Sequence, residues 1–314
     1  MEKIPFKRIN LGSAYEGVKP LFESGFIGLG EKVFEFEREL AKYVGAKYCL
    51  ATDSCTSALF LCLKWEYLNG TREVGIPSMT VPLVANSCLE AGLNIWFNGQ
   101  TDWVGSAYLI EGTDIFDSAH ELKKNQYKYG KLCFSFYPTK TIGSADGGAI
   151  ATNDKEFITW ARSAATYGRN QEAKYKNSWD YDIKMIGYKR HYTNLQAAIC
   201  LEQLKRLDET NERRKKIRDT FNRAFSYFNV SDYLYRIDIS SRDEFIEYAN
   251  NLGIECGVHF KPLHLMTPFK GVQISIEDEI ETNDAYLKTV SLPFFDTMTQ
   301  EEIERVIEAV KNFK

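Results

Sequence analysis

The sequence has no apolar segment long enough to cross a membrane. Its longest apolar run covers only residues 58–63, whereas a membrane-spanning helix needs about 20 residues. The N-terminal residues also lack the apolar core and small-residue cleavage site of a signal peptide. We therefore expect no membrane association and a cytoplasmic location.

The chain has few histidines and no paired cysteines. Its seven cysteines stand singly, without a C-x-x-C pair, which indicates reduced thiols. The four histidines are not spaced like a zinc site, so no metal is expected. The net charge of −4 is small for 314 residues, and neither a nucleic acid nor a membrane surface is indicated as a partner.

What the sequence does contain is a regular alternation of strand-like and helix-like segments. Helices are predicted at 56–67 and 82–90, and strands at 46–51, 73–76, 94–97, 107–110, 114–116, 131–136 and 148–152. This alternation predicts an α/β fold with a mostly parallel sheet and helices on both faces. Ligands of such sheets bind at the carboxyl ends of the strands.

The second part of the chain begins with a long helical pattern from 193 to about 225. We expect this helix to link a large domain, residues 1–205, to a small C-terminal α/β domain, residues 206–314. The small domain is predicted to contain strands at 233–237 and 254–260, a helix at 241–250 capped by Ser241, and an amphipathic helix at 299–313.

Three polar residues lie at or just past the ends of predicted strands, namely Asp117, Ser135 and Lys140. They suit pyridoxal 5'-phosphate (PLP): a lysine can form a Schiff base with it, a carboxylate can hold its pyridine nitrogen protonated, and a serine can bind its phosphate. Singly, Lys140 would be a surface group and Asp117 a helix N-cap. Aromatic neighbours and the glycine-rich segment 143–148 favour a partly desolvated, nucleophilic lysine.

Two further features fit the same cofactor. His120 follows Asp117 by three residues and can hydrogen-bond the phenolic oxygen of PLP, although a half-buried structural histidine would be equally ordinary. Cys55 and Thr56 lie where a predicted strand passes into a helix. Backbone N–H groups at such a helix start can bind a phosphate; the alternative is an ordinary N-cap.

In order along nearly the whole chain, these segments resemble the DegT/StrS family of PLP-dependent sugar aminotransferases, a branch of fold type I. The resembling segments are SGFIGLG at 24–30, SCTSAL at 54–59, PSMT at 77–80, DSAH at 117–120, FSFYPTK at 134–140, GY at 187–188, TNLQAAI at 193–199 and HFKPLH at 259–264. The resemblance implies a large domain with a mostly parallel sheet of the seven-stranded type, plus a small C-terminal α/β domain.

The resemblance also implies a role for each candidate residue. Lys140 bonds to the cofactor and then moves a proton, Asp117 pairs with the pyridine nitrogen, and His120 contacts the phenolic oxygen. The implied phosphate ligands are the backbone amide of Cys55 and the side chains of Thr56 and Ser135.

A homodimer follows from the same resemblance. The segment that ends at Lys189 reaches the phosphate of the partner subunit in the family, so each active site would lie at the subunit interface. Lys189 replaces an asparagine there and can meet a phosphate as a point charge. The chain also differs from the family by Val81, where an aromatic residue often stacks on the cofactor, and by a shortened region near residues 98–110.

The activity implied is amino transfer, from L-glutamate as expected donor, to the 3- or 4-keto group of a nucleotide-linked keto-deoxy sugar. A cyclitol or related ketone is an alternative acceptor. A second alternative is a non-catalytic homologue that binds PLP or a sugar nucleotide. The presence of both Lys140 and Asp117 argues against that alternative, because binding alone would not require both.

Overall fold

The computed structural model describes residues 2–169, 180–183 and 185–313. The helices of these residues are α1 (Ala14–Ser24), α2 (Glu31–Val44), α3 (Cys55–Leu68), α4 (Pro82–Ala91), α5 (Lys155–Ala165), α6 (Asn194–Lys205), α7 (Leu207–Phe225), α8 (Arg242–Asn251), α9 (Ile276–Lys288) and α10 (Gln300–Asn312). The strands are β1 (Tyr48–Thr52), β2 (Glu73–Pro77), β3 (Asn94–Asn98), β4 (Tyr108–Leu109), β5 (Ile115–Asp117), β6 (Lys131–Ser135), β7 (Gly148–Thr152), β8 (Tyr235–Asp238) and β9 (Thr289–Leu292).

A search of the described residues finds no helix that is both long and apolar enough to span a bilayer.

The large sheet has the strand order β1-β7-β6-β5-β4. A separate parallel pair, β2 and β3, continues it beyond β4. The connection is made by Gly75 and Glu111, whose N–H groups each donate to the other's carbonyl at 3.1 and 2.8 Å. Seven strands are thereby joined edge to edge.

The expectation of a mostly parallel sheet is wrong for the five-stranded part. Only β5 and β6 are parallel neighbours, whereas β1–β7, β7–β6 and β5–β4 are antiparallel. The chain between β4 and β5 comprises only residues 110–114, and a parallel crossover needs about a dozen residues or more. Residues 136–147 between β6 and β7 form no helix, and the chain turns directly back.

Helices cover both faces of the sheet, as predicted. Side chains alternate along each strand: on β6, Cys133 belongs to a core with α3, α4 and α5, while Leu132 and Phe134 belong to a second core with α2 and α6. The long apolar run 58–63 lies in α3, where every one of its residues is at most 2% exposed. A helix that is apolar all round is expected in such a buried position.

The C-terminal part forms a third core around the antiparallel pair β8–β9, helices α8 and α10, and Ile4 from the N-terminus. The predicted strand 254–260 is wrong, because only Ile254 and Gly257 make isolated bridges there. Ser241 precedes α8, but its side chain accepts no capping hydrogen bond.

The single helix predicted from 193 to 225 is wrong as well. It consists of α6 and α7, separated at Arg206, whose φ of −104° and ψ of 2° are not helical. No glycine or proline marks this break in the sequence. The proposed boundary between domains 1–205 and 206–314 coincides with it and stays a prediction.

Candidate active site

One cavity of about 360 Å³ lies at the carboxyl ends of three strands. Asp117 is the last residue of β5, Ser135 is the last residue of β6, and Ser54 follows β1 closely. Six of the seven residues predicted from the sequence line this cavity: Cys55, Thr56, Asp117, His120, Ser135 and Lys140. Leu83 and Tyr137 also line it and are 50% and 53% exposed, so the cavity opens to the surface.

The start of α3 forms one end of the cavity. Ser54 caps the helix by accepting a hydrogen bond from the Ser57 N–H at 3.1 Å. The N–H groups of Cys55 and Thr56 lie in the first turn, where no helical carbonyl can accept from them. A helix start with free N–H groups and a nearby serine, Ser135, can bind a phosphate.

Gly148, the first residue of β7, allows the sheet to approach this helix start. A Cβ at residue 148 would lie 2.4 Å from the backbone nitrogen of Cys55. Gly148 is also the cross-strand partner of Ser135. Only glycine therefore permits the observed distance between β7 and the first turn of α3.

Asp117 is a buried carboxylate at the other side of the cavity. Its oxygens accept hydrogen bonds from the Ala119 N–H at 2.9 Å and the Tyr108 hydroxyl at 3.0 Å, both uncharged donors. Burial raises the pKa of Asp117, while these two donors and the Lys140 charge lower it. A buried carboxylate held by neutral donors is suited to a cationic partner, and the protonated pyridine ring of PLP would be one.

His120 is held as a neutral ring. Burial lowers the pKa of His120 well below its usual value, with smaller contributions from the charges of Lys140, His259 and Lys7. Its Nδ1 accepts from the Gly105 N–H at 3.2 Å, which leaves the proton on Nε2. The ring also stacks on Trp103, with centroids 5.4 Å apart.

Lys140 lies in the loop between β6 and β7. Its Nζ is 4.8 Å from the ring centroid of Tyr233. The loop is fixed from outside the sheet, because Gln203 on α6 exchanges hydrogen bonds with Gly143 and Arg214 on α7 donates to the Thr141 carbonyl at 3.2 Å. The conformation of the lysine loop thus depends on helices that follow it by about sixty residues.

The seventh predicted residue, Lys189, does not line this cavity. It is exposed and forms an isolated antiparallel bridge with Thr166. The next residue, Arg190, donates to the Ser57 hydroxyl at 3.1 Å, so the segment passes behind the start of α3. Within one subunit, the structure does not bring Lys189 to the other six residues.

Several residues at this site were not assigned a role from the sequence. Trp103, Tyr108 and Tyr233 surround His120, Asp117 and Lys140 respectively, and Phe260 completes the wall of the cavity. Tyr108 could have been found only by recognising the antiparallel β4–β5 hairpin, in which it is the direct partner of Asp117.

An α/β sheet with this cavity at its strand ends, lined by a lysine, a buried carboxylate and the start of a helix, defines a PLP-dependent aminotransferase. The chain belongs to the DegT/DnrJ/EryC1/StrS aminotransferase family, whose sequence profile matches residues 13–103 and 117–311. Members of this family use PLP, and the present donor set fits that cofactor. The match is interrupted at residues 104–116, which contain β4 and most of β5.

Named relatives and solved structures resemble the chain over almost its whole length. The spore coat polysaccharide biosynthesis protein SpsC of Bacillus subtilis is 29% identical, with 94% of this chain and 92% of that protein covered. The UDP-4-amino-4,6-dideoxy-N-acetyl-beta-L-altrosamine transaminase of Campylobacter jejuni is 25% identical, with 88% of each covered.

Among solved structures, Helicobacter pylori PseC, an aminotransferase involved in the biosynthesis of pseudoaminic acid, superimposes with a TM-score of 0.86 at 21% identity, covering 99% of this chain and 98% of that one. The putative sugar aminotransferase Spr1654 of Streptococcus pneumoniae, in its PMP form, gives 0.86 at 22% identity, covering 98% and 97%. At these identities the structural likeness establishes the fold.

Proposed function

We propose that this protein transfers an amino group from L-glutamate to the keto group of a nucleotide-linked keto-deoxy sugar, with Lys140, Asp117 and His120 at the reacting end of the cavity. The observation that carries the proposal is the convergence of six predicted residues on one cavity. Lysine, carboxylate and helix start come from segments far apart in the sequence. Their meeting at the strand ends is what PLP requires.

Bound PLP supplies an aldehyde for amines and a ring that accepts electrons. The chain supplies the rest. The backbone amide of Cys55, at the start of α3, would bind the phosphate together with the side chains of Thr56 and Ser135, and the Asp117 carboxylate would hold the ring nitrogen protonated. His120, with its proton on Nε2, can donate to the phenolic oxygen. Lys140 would be the residue that holds the aldehyde end of the cofactor, and its amine could then carry the proton that amino transfer requires.

The nature of the acceptor is inferred from the relatives. The Campylobacter jejuni relative is named as a transaminase of a UDP-linked amino sugar, and the Bacillus subtilis relative is named for polysaccharide biosynthesis. The cavity opens past Leu83 and Tyr137, which leaves space outside it for a nucleotide that remains attached to the sugar.

The first experiment is a visible absorption spectrum of the protein with added PLP, before and after L-glutamate. We expect the band of lysine-bound PLP, and its loss when glutamate is added. The Lys140→Ala variant should bind PLP without this band and transfer no amino group, whereas Lys311→Ala, an exposed lysine on α10, should behave as wild type. Full transamination by Lys140→Ala would end the proposal.

The acceptor is tested with protein whose cofactor has first been aminated by L-glutamate. Nucleotide-linked 3-keto and 4-keto sugars, the corresponding free sugars and a keto-cyclitol are added separately, and the return of the visible band is followed. We expect only nucleotide-linked sugars to restore it at low concentration. If only the keto-cyclitol restores the band, the proposed nucleotide-sugar acceptor is wrong and a cyclitol is the acceptor.

A homodimer is the second part of the proposal. Lys189 is exposed and lies outside its own cavity, so its expected role at a phosphate needs a second subunit. Two apolar side chains are largely exposed: Ile186, three residues before Lys189, at 93%, and Phe26, whose carbonyl accepts from Asn194 at the start of α6, at 76%. Contact with a second copy of the chain would bury such side chains.

Subunit mixing tests this arrangement. If Lys189 completes the partner's site, Lys140→Ala and Lys189→Ala are each impaired, but a mixed dimer contains one site with both lysines. After reversible dissociation and mixing in equal amounts, about a quarter of the wild-type activity should return, because half of the dimers are mixed and each has one intact site. Full activity of Lys189→Ala alone, or a monomer in sedimentation, would contradict the arrangement.

A further inference from the structure

The Asp117 carboxylate has a side-chain partner in the segment that the family profile does not match. Tyr108 stands on β4 directly opposite Asp117 on β5, and its hydroxyl donates to Asp117 Oδ2 at 3.0 Å. Both residues are 4% exposed. Tyr108 lies within the unmatched residues 104–116, so this contact is supplied by a part of the chain outside the family pattern.

The hydrogen bonds around Tyr108 have a defined direction. A phenol carries one proton, and an ionised carboxylate can only accept, so that proton is given to Asp117. The Thr80 hydroxyl, 3.2 Å from the phenol oxygen, must then donate to Tyr108. Trp103 packs against the Tyr108 ring, with centroids 4.4 Å apart, and restricts its rotation. The phenol is thus fixed as a donor to Asp117.

We propose that Tyr108 is a positioning residue that keeps Asp117 ionised and oriented toward the pyridine nitrogen of bound PLP. The inference rests on the role proposed above for Asp117. The Ala119 N–H holds Oδ1 and the Tyr108 hydroxyl holds Oδ2, which fixes the plane of the carboxylate. Without the phenol, one oxygen of a buried charge loses its donor, and this favours the protonated acid.

Protonation of Asp117 would remove the negative charge that the ring nitrogen needs. The titratable groups that interact with Asp117 are Tyr108 on β4, Cys55 at the start of α3, Cys133 on β6 and Lys140 after β6. Among them, Tyr108 and Lys140 lower the pKa of Asp117. Loss of the phenol therefore raises this pKa, and Asp117 becomes protonated at a higher pH than in the wild type.

The test is the affinity for PLP of the Tyr108→Phe variant, measured by absorbance titration between pH 5 and 8. We expect about tenfold weaker binding at pH 7.5, and an acid limb of the affinity profile that lies up to about one pH unit higher. The control is Tyr235→Phe, which removes the hydroxyl of another buried tyrosine, bonded to Asn222 at 2.9 Å in the C-terminal core. It should keep the wild-type affinity and profile.

A double variant separates positioning from general damage. In an Asp117→Asn background, Tyr108→Phe should cause no further loss of PLP affinity, because the residue acts through the carboxylate. An additional tenfold loss there, a wild-type profile in Tyr108→Phe, or the same loss in Tyr235→Phe would each overturn the inference. Wild-type protein that binds no PLP would overturn the proposed function, and this inference with it.

Discussion

Gly148→Ala is the substitution that most directly tests how the proposed phosphate end of the site is built. A Cβ at this position would lie 2.4 Å from both the backbone nitrogen of Cys55 and the carbonyl carbon of Ser54. Ordinary contacts begin near 3.4 Å, so β7 and the start of α3 must separate by about 1 Å. The clashing atoms belong to the backbone, and no side chain can rotate away to relieve them.

Two effects should follow from this separation. Overpacking of this kind costs about 1–3 kcal/mol of unfolding free energy. The displaced first turn also moves the Cys55 and Thr56 amides relative to Ser135. Hydrogen bonds to a charged group contribute about 1.5–3 kcal/mol each, so the loss of one should weaken PLP binding by about ten- to a hundredfold.

The assay is an absorbance titration with PLP, together with thermal unfolding of the PLP-free protein. The control is Gly28→Ala, because a Cβ at residue 28 meets no atom within 4 Å; it should keep both properties. Wild-type PLP affinity in Gly148→Ala would refute the assignment of the α3 start as the phosphate site. A drop in affinity without the stability loss would show that the backbone relaxes locally.

Three further predictions concern stability. Arg162→Met leaves the buried Glu37 carboxylate without its ion-pair partner at 2.8 Å and should lower the free energy of unfolding by about 3–5 kcal/mol in denaturant titration. Arg38→Met, at an exposed arginine, should lower it by less than about 1 kcal/mol. Equal losses in the two variants would contradict this prediction. Burial lowers the pKa of His259 to about 3, below its unfolded value, so the folded state binds fewer protons and stability falls with acidification from about pH 6.5. Between pH 7 and 5.5 the free energy of unfolding of His259→Gln should therefore fall by about 1 kcal/mol less than that of the wild type. Parallel plots of unfolding free energy against pH for the two proteins would count against this prediction. Thr299→Ala removes the capping box of α10 and should cost about 1 kcal/mol, a value that an unchanged melting temperature would exclude.

The parts of the site that could be predicted from the sequence are those that local patterns determine. The sequence predicts strand ends at 116 and 136 and a helix start at 56, each within one residue of the observed end of β5, end of β6 and start of α3. Since the strands β1, β5 and β6 point the same way, these ends meet at one edge of the sheet. That meeting did not require the sheet to be mostly parallel.

The rest depends on contacts between distant segments. Tyr233 reaches Lys140, and Phe260 reaches Trp103, only because the C-terminal part packs against the cavity. The break at Arg206 carries no glycine or proline. The turn between β4 and β5 does contain Gly112, with a φ of 83°, but a glycine marks only the turn and does not show which residues of the two strands face each other. Register between strands is a property of two segments together, so one sequence pattern cannot determine it.

The segment between β3 and β5, part of which the family profile leaves unmatched, connects these observations. Because residues 110–114 are too few for a crossover, β4 returns antiparallel and places Tyr108 opposite Asp117. The same short path brings Trp103 against both Tyr108 and His120, while Glu111 still joins β2 and keeps the sheet continuous. One segment thus contacts Asp117, the proposed partner of the ring nitrogen, and supplies Trp103 to the cavity wall. Changes in its length should therefore alter cofactor binding and acceptor choice together, not separately.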